Sequence, residues 1–503
     1  MRSRCRLLFA LAIVAVAALV GRADVASSQA AEVQLQLGDL LFSEGKYFES
    51  LKAYRNAVRV APADLMVRAR GNVVRTALRC AEFDEARQEA ERLVQGSPRN
   101  PDAISLYGDA LWASGLFDQA EARYRDALSL VPDLARGHHG LARSLAARSQ
   151  LTDALNEAQA ALRFSPRDLE VHHTVGTLYE RMHRYEEAAG AFNNYINLLP
   201  NKDTSDKAAW SRAEVRFLQS FGQRVPFDVS GGGDDDKLYT IPFRLVADKI
   251  VVRAKVNDAV AQDFVVDTGS ENTVITRPTA LRLGVVPVTY TLSAGVGQVG
   301  FRGLQLGRID TLEVGALKLH NVPVLIKNPP LVDKEIRETE SLSPLALGYS
   351  MTIDYKQHEI TFGKHLAMEP ADVELPMRLY RLATVLGTLD GSRKANFVID
   401  TGGQVISISQ ATASALGRPQ TRRIALKVWG TSGWDPDAFL LPGVNLTFDA
   451  IQYKDFPVVV LNLDAPSALL GFQLGGIVGH KFLSGYKVGI DMERSTLRLK
   501  KTS

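Results

Sequence analysis

The chain has 503 residues, 46% of them hydrophobic and 23% charged, which is too long for one core and ordinary for folded protein. Its formal net charge of +3 provides no basic surface of the kind that binds nucleic acid. Cys5 and Cys80 are the only cysteines, which excludes a disulfide framework and a zinc site built of cysteines.

Residues 1–30 read as a signal peptide. Arg2, Arg4 and Arg6 precede an apolar stretch from Leu7 to Val20, and small residues suited to cleavage follow at Gly21 and Ala23 or at Ser28 and Ala30. The stretch is too short for an ordinary membrane span, and an uncleaved N-terminal anchor is the alternative. With the signal removed, no membrane span is expected and the remainder is formally neutral. Export with so few cysteines suits a bacterial envelope, so the expected location is periplasmic or secreted.

Residues 31–200 carry a repeat. Pro62, Pro98, Pro132, Pro166 and Pro200 recur at a spacing of 34, or 36 for the first gap. Small residues fall in fixed slots, as at Gly108, Gly115 and Ala120, and large ones in others, as at Tyr107, Leu111 and Tyr124. Such a period implies stacked helix pairs, each stopped by its proline. The segment from Pro62 to Pro98 departs most, with Val74 in the glycine slot. The pattern resembles the tetratricopeptide repeat over about five repeats. That resemblance implies a right-handed superhelix whose concave groove holds a peptide or protein partner; a scaffold or oligomerisation arm is the alternative. His138 and His139 recur 34 positions later as His172 and His173, but no carboxylate or cysteine completes a ligand set, and no metal is expected.

Residues 201–237 form a joint. Asp203 to Gln219 has the apolar face of one more helix, suited to capping the stack. Ser230 to Asp236 has the glycine–aspartate composition of a hydrated linker.

From Leu238 strand-like alternation replaces the helical period. The apolar run Phe264-Val265-Val266 leads into Asp267-Thr268-Gly269-Ser270, and Phe397-Val398-Ile399 leads into Asp400-Thr401-Gly402-Gly403. The two aspartates are 133 positions apart, and Pro323 and Pro457, each inside a Val- or Phe-Pro-Val strand, are 134 apart. The ends match as well, Ile353-Asp354 against Ile490-Asp491. The sequence therefore predicts a duplication into two β lobes, 238–366 and 367–503, each with a carboxylate at a strand-to-turn junction. Two carboxylates held at close range cannot both ionise cheaply, so one proton is shared between them.

This half resembles the pepsin-like and retroviral-type aspartic proteases, most closely bacterial aspartyl-protease families with small retropepsin-size lobes. The resemblance implies an all-α tetratricopeptide superhelix followed by an all-β, two-lobed acid-protease-like domain. It implies that Asp267 and Asp400 meet between the lobes and cleave a polypeptide substrate with no cofactor and no metal. It further implies that Thr268 and Thr401 bond across the interface, that Gly269 and Gly402 permit the close approach, and that Ser270 donates to Asp267. Gly403 offers no such hydroxyl to Asp400. Ile477-Val478-Gly479 fits the apolar pair and glycine packed beneath the second motif, while Ser341 to Gly348 gives no clean match beneath the first. Flap candidates are Gly295 to Gly300, including Gly297, and Trp429 to Trp434, including Gly430, since glycines let a hairpin tip move. The alternative to a peptidase is a non-catalytic envelope adaptor that binds proteins through both halves.

Overall fold

The structure is a computed structural model that describes residues 27–230, 236–327, 339–418 and 423–502. All but the last four residues of the predicted signal segment, and residues 231–235 of the predicted linker, lie outside the described residues. No helix among the described residues is long and apolar enough to cross a membrane.

Helices come first: α1 (27–43), α2 (Tyr47–Val60), α3 (Ala63–Arg79), α4 (Phe83–Gly96), α5 (Pro101–Ala113), α6 (Phe117–Leu130), α7 (Ala135–Ala147), α8 (Leu151–Phe164), α9 (Leu169–Arg181), α10 (Tyr185–Leu198) and α11 (Asp206–Gln219). Each even-numbered helix from α2 to α10 stops two residues before one of the five periodic prolines, which cannot supply the N–H that would continue it. Within a pair the small slots serve close packing. A Cβ on Gly38, Gly108 or Gly176 would lie 2.4, 2.6 or 2.7 Å from the ring of Tyr54, Tyr124 or Phe192, each sixteen residues on. The deviant second repeat obeys the same rule in reverse. Val74 fills the glycine slot, Ala90 stands where the ring would be, and both are fully buried in one core. The array also closes on itself, with Arg79 paired to Glu170 and Asn201 Nδ2 donating to the Glu44 carbonyl at 2.9 Å.

Strands follow. The first lobe contains β1 (Asp228–Val229), β2 (Tyr239–Pro242), β3 (Arg244–Val246), β4 (Lys249–Val256), β5 (Gln262–Val266), β6 (Thr273–Thr276), α12 (Arg277–Arg282), β7 (Pro287–Ala294), β8 (Phe301–Val314), β9 (Leu317–Lys327), β10 (Ser341–Leu342), β11 (Ser350–Asp354) and β12 (Glu359–Gly363). The second contains β13 (Val373–Tyr380), β14 (Leu382–Leu389), β15 (Arg393–Ile399), β16 (Ser407–Ser409), α13 (Gln410–Ala415), β17 (Ile424–Ala425), β18 (Val428–Gly430), β19 (Gly433–Asp435), β20 (Phe439–Phe448), β21 (Ile451–Leu461), α14 (Asp464–Leu470), β22 (Gly476–Val478), α15 (His480–Leu483), β23 (Tyr486–Asp491) and β24 (Thr496–Lys501).

The duplication is visible in the pairing. In the first lobe β5 runs parallel to β10 and β6 parallel to β9; in the second β15 runs parallel to β22 and β16 parallel to β21. The matching lobe ends do not close each lobe separately. They join one sheet in the order β13-β24-β23-β11-β12-β2, where Met351, Thr352 and Ile353 face Ile490, Gly489 and Val488. One continuous core runs through both lobes, from Ile250 and Phe264 to Phe397 and Val488.

The repeats are packed against both lobes. On the second, Trp112 lies 5.2 Å from Tyr380 and Phe117 lies 5.1 Å from Phe472, ring centre to ring centre. The Ala113 carbonyl accepts from Gln473 N at 2.7 Å, and Arg378 pairs with Asp118 at 2.5 Å. On the first, Phe217 and Phe221 share a core with Leu304 and Leu306. The helix α11 therefore caps the stack and also glues it to the first lobe.

Candidate active site

Each aspartate sits one residue past the end of a buried strand, β5 for Asp267 and β15 for Asp400. The Asp267 N–H donates to the Leu342 carbonyl at 2.9 Å and the Asp400 N–H to the Val478 carbonyl at 3.1 Å, so the two loops leave their lobes in the same way. They then interlock. Thr268 N donates to Thr401 Oγ1 at 3.1 Å and Thr401 N to Thr268 Oγ1 at 3.0 Å. Each hydroxyl donates in turn to the strand entering the opposite loop, Thr268 to the Ile399 carbonyl and Thr401 to the Val266 carbonyl, both at 2.7 Å. All four groups are buried, so each bond replaces a desolvated polar group that would otherwise be unpaired.

This lock brings the carboxyls together. A Cβ on Gly269 would lie 2.5 Å from the Asp400 carboxyl carbon, and one on Gly402 would lie 2.8 Å from that of Asp267. The two carboxyls therefore lie close enough to interact electrostatically. Burial, then the neighbouring Asp400 charge, pushes Asp267 up to about 7. Burial raises Asp400 as well, while the Gly403 and Gly402 N–H groups pull it back. Lys249 lowers both.

The support of the two loops differs from the sequence expectation in three ways. The Ser270 hydroxyl does not reach Asp267; it closes its own turn by donating to the Asn272 carbonyl at 2.8 Å. Gly403 does not leave Asp400 unsupported. Asp400 Oδ1 accepts from both Gly402 N and Gly403 N at 2.8 Å, whereas among the described residues Asp267 Oδ1 accepts from Gly269 N alone, at 2.9 Å. The floor under Asp267 is also present, as Ser341-Leu342-Ser343. In the second lobe His480 N donates to the Gly403 carbonyl at 2.8 Å. The corresponding residue of the first lobe is Pro344, which has no N–H, and the fully buried Ser343 hydroxyl donates to the Ser270 carbonyl at 2.5 Å in its place.

The two predicted flaps meet. The loop between β7 and β8 bonds to the hairpin of β18 and β19 through Gln298 N to the Trp434 carbonyl at 2.7 Å and Ser432 N to the Val296 carbonyl at 2.8 Å. Gly295 lies against Thr431, Gly297 (φ 136°) against Ser432 and Gly430 against Val296, contacts that a Cβ would block. Trp429 lines the cavity over the aspartates and stacks edge-on against Trp434 at 5.2 Å. One tie was not foreseen: Arg381 of the second lobe donates to Glu271, directly after the first motif, at 2.8 Å and to the Leu469 carbonyl at 2.9 Å. The paired histidines of the repeats have separate partners, His138 with Glu157 and His139 with Thr174.

Residues 252–351 match the aspartyl protease family profile, and residues 31–64 and 77–143 match tetratricopeptide-repeat profiles. The chain carries an aspartyl-protease-like domain behind tetratricopeptide repeats. The protease match lies within the first lobe. No curated protein matches the chain. Similar solved structures cover the repeats. A thermophilic tetratricopeptide protein of Thermus thermophilus is 22% identical over 36% of this chain and 99% of its own, with a TM-score of 0.32. PilF of Pseudomonas aeruginosa is 18% identical over 39% and 94%, with a TM-score of 0.28. MamA of Desulfovibrio magneticus is 17% identical over 35% and 97%, with a TM-score of 0.25.

Proposed function

We propose that the protein is an exported aspartic endopeptidase, with Asp267 and Asp400 as its catalytic pair and the repeats as a surface for substrate or protein. The observation that carries this reading is the pair of carboxyls brought together between two interlocked Asp-Thr-Gly loops. Asp400, with its two N–H donors, is the better-stabilised anion, and Asp267 the better proton holder. The ionised member takes a proton from a water as that water attacks the scissile carbonyl carbon. The protonated member donates its proton to the carbonyl oxygen, and collapse of the adduct with protonation of the leaving nitrogen breaks the amide bond. The flap glycines and Trp429 supply the covering over the peptide. Export rests on the N-terminal signal pattern.

Hydrolysis of an unstructured peptide mixture, followed by mass spectrometry, tests the reading. Asp267→Asn and Asp400→Asn should each lower kcat by about a hundredfold or more. Full activity in either variant defeats the shared-proton mechanism. Protein capture that survives both substitutions, with no hydrolysis at any pH, establishes the adaptor alternative.

A further inference from the structure

One cavity of about 3420 Å³ takes in both the aspartate pair and the concave face of the repeats. Its repeat-side wall includes Arg79, Trp112, Arg143, Glu180, Trp210 and Glu214, drawn from the inner helices α3, α5, α7, α9 and α11. The facing wall holds Asp267, Asp400 and both flap tips. The helical array cannot swing aside as a free arm. It is fastened to the second lobe through Trp112 and Phe117, to the first through Phe217 and Phe221, and to itself through Arg79 and Glu170.

Size decides what such a space takes. It is several times the roughly 300–1,000 Å³ of a small-molecule site, so a polymer fits it better than a metabolite. A folded domain of 100 residues, with a radius of gyration of about 13 Å, occupies on the order of 20,000 Å³ and does not enter. The wall chemistry agrees: it carries charges of both signs together with aromatic rings, which suits a chain of mixed sequence and not a ligand of one charge.

We propose that the repeat groove and the aspartate cleft form one chamber that takes an extended polypeptide and excludes folded domains, the repeats gripping the chain on one side of the bond to be cut. The proposal rests on the peptidase reading for the cut and on the cavity alone for the grip.

The test uses the full-length protein and one reporter protein in two forms, native and permanently unfolded by reduction and carboxymethylation. A native substrate is open to this chamber only through its unfolded fraction, so kcat/KM should fall by about a thousandfold or more relative to the unfolded form. Equal rates overturn the proposal. Phe117→Asp combined with Asp118→Arg, which loosens the seam with the second lobe at two residues that do not themselves line the chamber, should narrow that ratio at least about tenfold while cleavage of a short peptide stays within about twofold. An unchanged ratio in a folded variant counts against the chamber. If the variant does not fold, the wild-type ratio decides. Binding separates the two readings. The Asp267→Asn, Asp400→Asn double variant, followed by fluorescence anisotropy, should bind the labelled unfolded chain and not the native one. That result upholds the chamber even if the wild type cuts nothing, in which case the peptidase reading alone falls. Equal binding of both forms, or of neither, overturns the chamber.

Discussion

Asp400 accepts two backbone N–H groups and Asp267 one, so the two carboxyls are chemically unequal although their loops are near copies. Asp267 is raised from 3.8 to about 7 chiefly by burial, so the folded protein binds its proton more tightly than the unfolded chain does. Two consequences follow in pH. The proposed reaction needs one shared proton, so kcat/KM should decline as pH rises through about 7, where Asp267 loses its proton. Stability drawn from that proton is complete below the unfolded value and is lost as pH rises through about 7. Asp267→Asn should therefore melt higher than the wild type near pH 8 and close to it near pH 4, as followed by thermal denaturation. A melting temperature lower than wild type near pH 8 would mean that the burial penalty on this carboxyl is absent.

The interlocked loops make a sharper claim at the level of elements. Thr401→Val keeps the shape but removes the acceptor for Thr268 N and the donor to the Val266 carbonyl, both in buried surroundings. The expected loss is about 1–3 kcal/mol for each group left unpaired, read from urea unfolding, and Thr401→Ser should recover most of it. Equal stability of the valine and serine variants would remove the lock from the account. Much of this element was legible beforehand, because the repeated tripeptide follows an apolar run twice and the helical half keeps its period through five prolines. What escaped was compensation between distant residues. Nothing local tells that Ser343 replaces an N–H missing from Pro344, since the substitution makes sense only when both lobes are overlaid. Arg381 and Glu271 stand 110 positions apart and meet only because the lobes do. Ala90 opposite Val74 was readable in principle, as a swap of large and small at a separation of sixteen, but it required knowing which helix faces face each other.

At the scale of the whole molecule, the helical half and the β half share two apolar clusters, one holding Trp112, Phe117 and Phe472 and one holding Phe217, Phe221 and Leu304. Two halves that complete each other's cores lose stability together, so calorimetry should show one cooperative transition with coincident loss of helix and strand signals. The seam variant, Phe117→Asp with Asp118→Arg, should split it into two. Two well-separated transitions in the wild type would mean that the clusters are too weak to couple the halves.

The sheet that joins the lobes sets an order of events during synthesis. The helical repeats rely on neighbouring residues and can form as they emerge, whereas pairings between distant strands must wait. Ile353 waits for Val488, and the Asp400 N–H waits for the Val478 carbonyl. The carboxyl pair is therefore assembled only after β22 and β23 have been made. A nascent chain carrying only the first Asp-Thr-Gly motif thus lacks the assembled pair, and the later-made strands of the second lobe complete it.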